Sequence, residues 1–198
     1  MKIVFASGNE GKVKEIKEML EGMGIELVSL YNYPQAPEIV EDGKSFLENA
    51  LKKAKIISEF TGETVLADDS GLQVEVLGGE PGIYSARYAG EAATDEENNA
   101  ALLAKLKNIP QEKRTAFFSC VLVLYKRDGS YDYFEGKWNG EIIDERRGNN
   151  GFGYDPIFFV PELKKTAAEL PAEIKNKVSH RGQAFAQLKK ALGGKLKN

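Results

Sequence analysis

The chain has 198 residues, 42% of them hydrophobic, so it can bury a sizeable core without a disulfide or metal staple. Its formal net charge of −3 excludes a broad basic face for sequence-independent binding to DNA or RNA, although one pocket on it can still be basic. No stretch approaches the roughly 20 apolar residues of a membrane span, and Met1 to Ala6 is too short for a signal peptide, so the cytoplasm is the expected compartment.

Lys2 to Ala6 predicts a short strand that breaks at Gly8. Beyond it, Val13, Ile16, Leu20 and Met23 recur at helical spacing, and Gly22 and Gly24 end that helix. Ile25 to Leu30 then predicts a second strand, and a strand-helix-strand opening points to an α/β architecture. The turn Ser7-Gly8-Asn9-Glu10-Gly11-Lys12 offers backbone amides at a helix start, a hydroxyl and a lysine, which is a natural phosphate cradle. It is not a Walker A loop, because its glycines are too close together and Val13 stands where a magnesium-binding hydroxyl is needed. The alternative is an ordinary strand-to-helix turn.

Ser45 and Glu48 predict a capping box for a second helix, with Phe46, Leu47, Ala50, Leu51, Ala54 and Ile57 as its apolar face. Glu48 with Lys52, and Lys55 with Glu59, are expected to pair along its solvated side. The loop before it carries Glu38, Glu41 and Asp42, which supply a second metal ligand or simply an acidic, solvated loop. Thr64 to Ala67 predicts a strand running into Asp68-Asp69-Ser70-Gly71, and Leu72 to Leu77 a further one. If strand alternation continues through the two aspartates, one carboxylate faces each way. One then suits a hard cation while the other orients a residue or a water; the competing reading is a turn whose carboxylates accept local backbone hydrogen bonds.

Thr94 and Glu97 predict another capping box, on a helix ending before Pro110. Thr115 to Lys126 and Tyr131 to Trp138 predict a hairpin around Asp128-Gly129. The single Cys120 lies in the apolar run of the first of these strands, so a buried thiol is expected there. In Gly151-Phe152-Gly153-Tyr154-Asp155-Pro156-Ile157-Phe158-Phe159, the last two phenylalanines suit a core strand, whereas Phe152 and Tyr154 on a glycine-rich turn can stack on a planar base. The single His180 precedes Arg181, with Ser179 a natural cap for a final helix to Leu192 that stops at Gly193-Gly194. With no second histidine, and no Ser-His-Asp context, hydrogen bonding to a ligand is what remains for His180. Lys189, Lys190, Lys195 and Lys197 suit a solvated tail. The predicted fold is α/β, a mixed twisted sheet flanked by helices, and the inventory of cradle, carboxylates, aromatic and basic helix start suits a nucleotide with magnesium.

Six blocks in chain order carry a closer resemblance. They are Ser7-Gly8-Asn9-x-x-Lys12, Glu41-x-Gly43-x-Ser45-Phe46-x-Glu48-Asn49-Ala50, Ala67-Asp68-Asp69-Ser70-Gly71-Leu72, Pro81-Gly82-Ile83-Tyr84-Ser85-Ala86-Arg87-Tyr88, Gly151-Phe152-Gly153-Tyr154-Asp155-Pro156 and Ser179-His180-Arg181-Gly182. Together they resemble the inosine triphosphate pyrophosphatase family, the group acting on dITP and XTP. That resemblance implies one domain over residues 1–198, two lobes with the nucleotide in the cleft between them, a homodimer, and a requirement for magnesium. It implies that Ser7, Gly8, Asn9, Glu10, Gly11, Lys12 and Lys53 hold the triphosphate. Glu41 and Asp69 would bind magnesium, with Asp69 also the base for the attacking water and Asp68 in support. Ser70, Phe152, Gly153, Tyr154, Asp155, Lys175, His180 and Arg181 would surround the nucleoside, Phe152 stacking on the base. Donors near His180 and Arg181 would face the 6-keto oxygen of hypoxanthine or xanthine, and adenine, with an amino group there, would leave a buried donor unpaired. The rival readings are a pyrophosphatase for modified or pyrimidine nucleotides and a nucleotide-binding regulator without catalysis; the set Glu41, Asp68 and Asp69 speaks against the second.

Overall fold

The computed structural model describes residues 1–193. Seven strands, β1 (Lys2–Phe5), β2 (Glu26–Ser29), β3 (Val65–Val74), β4 (Thr115–Tyr125), β5 (Tyr131–Ile142), β6 (Phe158–Val160) and β7 (Lys165–Thr166), form one sheet in the order β2-β1-β3-β4-β5-β6-β7. β1 is parallel to β2 and β3, whereas β6 is antiparallel to β5 and β7, so the sheet is mixed as predicted. The helices are α1 (Glu10–Leu20), α2 (Phe46–Thr61), α3 (Asp95–Leu106), α4 (Ala172–Val178) and α5 (His180–Gly193). The chain divides into two compact units, the first comprising Met1–Asp69, Cys120–Gly136 and the chain from Arg181 on, the second Ser70–Ser119 and Lys137–His180. Gly194, Lys195 and Lys197 lie outside the described residues.

In the first unit β1 and the start of β3 are apolar on both faces, because each face is covered. Ile3, Phe5 and Leu66 pack with Ile16 and Leu20 of α1 and Phe185 and Leu188 of α5. Val4, Ala6, Val65 and Ala67 pack with Ala50, Ala54 and Ile57 of α2. Successive residues of β3 therefore alternate between an α1/α5 side and an α2 side. The second unit packs Leu72 and Val74 with Leu102 and Leu106 of α3, Phe118, Trp138 and Phe158. Phe158 is fully buried, with its ring 4.6 Å from Phe118 and 5.3 Å from Trp138, as the core-strand reading expected.

Local expectations are met unevenly. Thr94 and Glu97 form the complete reciprocal capping box on α3. On α2, Ser45 accepts from Glu48 N, but the Glu48 carboxylate takes the Lys44 amide at 2.7 Å, so the box is half formed. The expected Glu48–Lys52 pair gives way to Lys52 with Asp42 at 2.5 Å, since Glu48 is engaged at the helix start; Lys55 and Glu59 stand 3.9 Å apart. The hairpin turn forms around Gly129, whose positive φ of 84° suits glycine. The largest correction concerns Asp68-Asp69-Ser70-Gly71, which is no turn. β3 runs unbroken from Val65 to Val74, and both aspartates lie inside it.

Candidate active site

That continuous strand sends the two aspartates to opposite faces. Leu66 faces α1 and α5, and two residues on so does Asp68; Ala67 faces α2, and so does Asp69. Asp68 meets Lys12 Nζ at 2.5 Å through Oδ1 and Arg181 Nε at 2.8 Å through Oδ2, which also accepts from Cys120 Sγ at 3.2 Å. Arg181 continues to Glu15 Oε2 at 2.6 Å through Nη1. Burial by itself would raise the pKa of Asp68, but the Arg181 guanidinium and the Lys12 ammonium hold it well below the ordinary carboxylate value. Cys120, as expected, is a buried thiol, pushed well up first by burial and then by the Asp68 charge, so it is no nucleophile.

Asp69 is built differently. Its Oδ2 accepts from Asn49 Nδ2 at 3.2 Å, and Oδ1 lies 3.1 Å from Lys53 Nζ. The same ammonium reaches Glu41 Oε1 at 2.8 Å, so one cation stands between two carboxylates. Burial raises the pKa of Asp69 and outweighs the pull of Lys53 and Lys12, with the Glu41 charge pushing the same way. Burial lowers that of Lys53, yet Asp69 and Glu41 win and leave it raised, so Lys53 stays charged. Asn49, fully buried, is fixed from behind by the Gly43 amide, which donates to its Oδ1 at 2.8 Å. A Cβ at Gly43 would come within 2.6 Å of that oxygen, which is why a glycine stands there. Glu41 and Asp69, two carboxylates drawn to one cation, have the donor chemistry that would suit a hard divalent ion.

At the start of α1, Asn9 caps the helix by accepting from the Lys12 amide at 2.9 Å, and Ser7 Oγ accepts from the Asn9 amide at 3.2 Å. Gly8, Asn9 and Glu10 are exposed, and Ser7, Gly11 and Lys12 are partly so. A helix N-terminus with open amides and a lysine in its first turn favours an anion.

In the second unit, Asp155 Oδ2 accepts from the Phe152 amide at 3.0 Å and pairs with Lys175, whose ammonium lies 4.9 Å from the Phe152 ring centroid. Gly151 has φ 74°, and a Cβ on it would run into the Asp155 carboxylate. Lys175 is carried by α4, a helix the sequence reading did not anticipate, and Ser179 is the extended residue between α4 and α5. The His180 ring is stacked on Phe118 at 4.7 Å, 11° from parallel. Ser70 is a partly buried strand residue. Tyr154 departs from expectation: it is 4% exposed and its hydroxyl donates to the Ser85 carbonyl at 2.8 Å, so its side chain is core rather than a stacking platform. Arg181 departs too. A residue of the first unit, it is 1% exposed, and its guanidinium is held by Asp68 and Glu15 of the same unit.

Residues 3–191 match the Ham1 family. The chain belongs to the Ham1 family. It is 53% identical over 192 residues to the dITP/XTP pyrophosphatase of Geobacter sulfurreducens, covering 97% of this chain and 96% of that one. It is 52% identical to the dITP/XTP pyrophosphatase of Desulforamulus reducens, covering 97% and 94%. Among solved structures, the Staphylococcus aureus Ham1 protein superposes with a TM-score of 0.87 at 43% identity, over 98% of this chain and 100% of that one. A HAM1 protein from Coxiella burnetii gives 0.88 at 43% identity, over 98% and 99%.

For this Ham1 chain the sequence reading assigned no role to Asn49 or Glu15. Asn49 and Lys53, four apart, sit among the buried residues Ala50, Ala54 and Ile57 of α2. Two polar residues inside an otherwise apolar stripe were the available signal, because a buried polar group needs a partner.

Proposed function

We propose that this chain hydrolyses the non-canonical purine nucleoside triphosphates ITP, dITP and XTP to the monophosphate and pyrophosphate, using magnesium. The observation that carries it is Lys53 held between Glu41 and Asp69, beside a carboxylate of raised proton affinity. The names of the Geobacter and Desulforamulus relatives support the same substrate class. Glu41 and Asp69 would hold magnesium, which when bound supplies neutralisation of charge on the phosphate oxygens. The turn from Ser7 to Gly11 at the start of α1, with Lys12 and Lys53, binds the triphosphate oxygens and the charge that develops on the departing pyrophosphate. Asp69 takes a proton from the attacking water on a carboxylate oxygen. Water oxygen joins the α-phosphorus as the bond from that phosphorus to the bridging oxygen breaks, and pyrophosphate departs. Asp68 is assigned the supporting part: Arg181 and Lys12 lower its proton affinity, which makes it the weaker proton acceptor, and it positions Lys12. Phe152 stacks on the base, with Gly153, Asp155, Lys175 and His180 around the nucleoside.

The protein acts as a single domain over residues 1–198 and as a cytoplasmic homodimer, with no nucleic-acid or membrane partner. No helix among the described residues is long and apolar enough to cross a membrane. Removal of divalent ions with EDTA is expected to reduce pyrophosphate release from ITP to background, and added magnesium to restore it. Metal-independent turnover, or release of orthophosphate in place of pyrophosphate, contradicts the reading.

A further inference from the structure

The loop that carries Phe152 is held by two residues outside every set named so far. Gly153 N donates to Asp95 Oδ2 at 2.6 Å, and Gly153 O accepts from Asn99 Nδ2 at 2.8 Å. Asp95 and Asn99 are one turn apart on α3, so a single helix face grips both backbone polar groups of one glycine. Asn99 is fully buried, and its Nδ2 also donates to the Asp95 carbonyl at 2.6 Å. Its Oδ1 has no hydrogen-bond partner among the described residues, an unfavourable condition for a buried amide. An apolar residue would avoid that cost in a helix packed on a core; the two donated bonds are what an amide adds here. Gly153 has φ 61°, and no atom lies within 4 Å of a Cβ built on it, so packing around the glycine does not fix the loop. The grip from α3 does that. On the other side of Phe152 its own amide is tied to Asp155 at 3.0 Å. The peptide units flanking the ring are thereby anchored at both ends.

We infer that Asp95 and Asn99 are positioning residues for the nucleoside, acting through Gly153 to hold Phe152 in place. The inference rests on the reading of Phe152 as the residue that stacks on the base. Anchoring of this kind acts on binding of the nucleoside and leaves the phosphate groups and Asp69 untouched.

The test compares Asp95→Ala, Asn99→Ala and Asp95→Asn with wild type, and with Glu96→Ala, which removes the neighbouring acid of the same helix turn. Glu96 pairs with Arg146 and does not contact Gly153. Loss of one such hydrogen bond is expected to raise KM for ITP about three- to tenfold in Asp95→Ala and Asn99→Ala. In both variants kcat and inhibition by inorganic tripolyphosphate are expected to stay within about twofold of wild type. Asp95→Asn, which keeps an acceptor for the Gly153 amide, is expected to restore KM, and Glu96→Ala to leave it unchanged. Asp95 is exposed, so its variants provide the answer even if Asn99→Ala fails to fold. An unchanged KM in folded Asp95→Ala overturns the inference while wild type still turns over ITP. So does a matching rise in the Glu96→Ala control, or a loss of kcat and tripolyphosphate inhibition together. A wild-type protein that hydrolyses no purine triphosphate overturns the underlying reading and the inference with it.

Discussion

Asp69→Asn is expected to lower kcat for dITP by about 10²- to 10⁴-fold, the usual cost of losing a general base, while the folded state survives intact. The substitution keeps the shape of the side chain and an oxygen that can accept from Asn49. It removes a charge whose burial already disfavours ionisation, and Lys53 retains Glu41 at 2.8 Å. A melting temperature close to that of wild type, alongside the lost turnover, separates a chemical role from a structural one. Wild-type-like kcat in the variant contradicts the assignment of Asp69.

Arg181→Ala is expected to behave in the opposite way, striking stability first. Its guanidinium is held by Asp68 Oδ2 at 2.8 Å and Glu15 Oε2 at 2.6 Å, and it is 1% exposed. Removal takes away the guanidinium that bridges the buried carboxylates of Asp68 and Glu15. Breaking a buried ion pair from one side typically costs about 3–5 kcal/mol. For a chain of this size that corresponds to a melting temperature lower by about 6–20 °C. Arg181→Lys should recover part of the loss, because an ammonium is not preorganised as a fork to both acids. Thermal unfolding followed by circular dichroism checks both. A melting temperature unchanged in Arg181→Ala would mean that the network contributes no net stability.

These two contrasting outcomes trace back to neighbouring residues of β3, and alternation along a strand is what made them readable in the sequence. That Asp68 and Asp69 point to opposite faces follows from the two-residue period alone. What the faces hold does not. The partners of Asp68 lie on α1, β4 and α5, and those of Asp69 on α2, separations that local patterning does not encode. The same limit explains the errors. Asp-Asp-Ser-Gly has turn-forming composition, but flanking strand pairing carries β3 straight through it, a tertiary override of local preference. Tyr154 lies on a glycine-rich loop, as a ligand-facing aromatic should, yet its hydroxyl finds the Ser85 carbonyl far away in sequence and the ring goes into the core. Arg181 looked like a ligand-facing cation because it follows His180 at a helix start. Two distant acids, Glu15 and Asp68, hold its guanidinium through Nη1 and Nε.

The measurement that tests the central claim most directly is pyrophosphate release from ITP, dITP, XTP, ATP, GTP, CTP and UTP, each with and without magnesium. Strong, magnesium-dependent turnover confined to ITP, dITP and XTP is expected. Equal activity on all seven, or none on any, would contradict it.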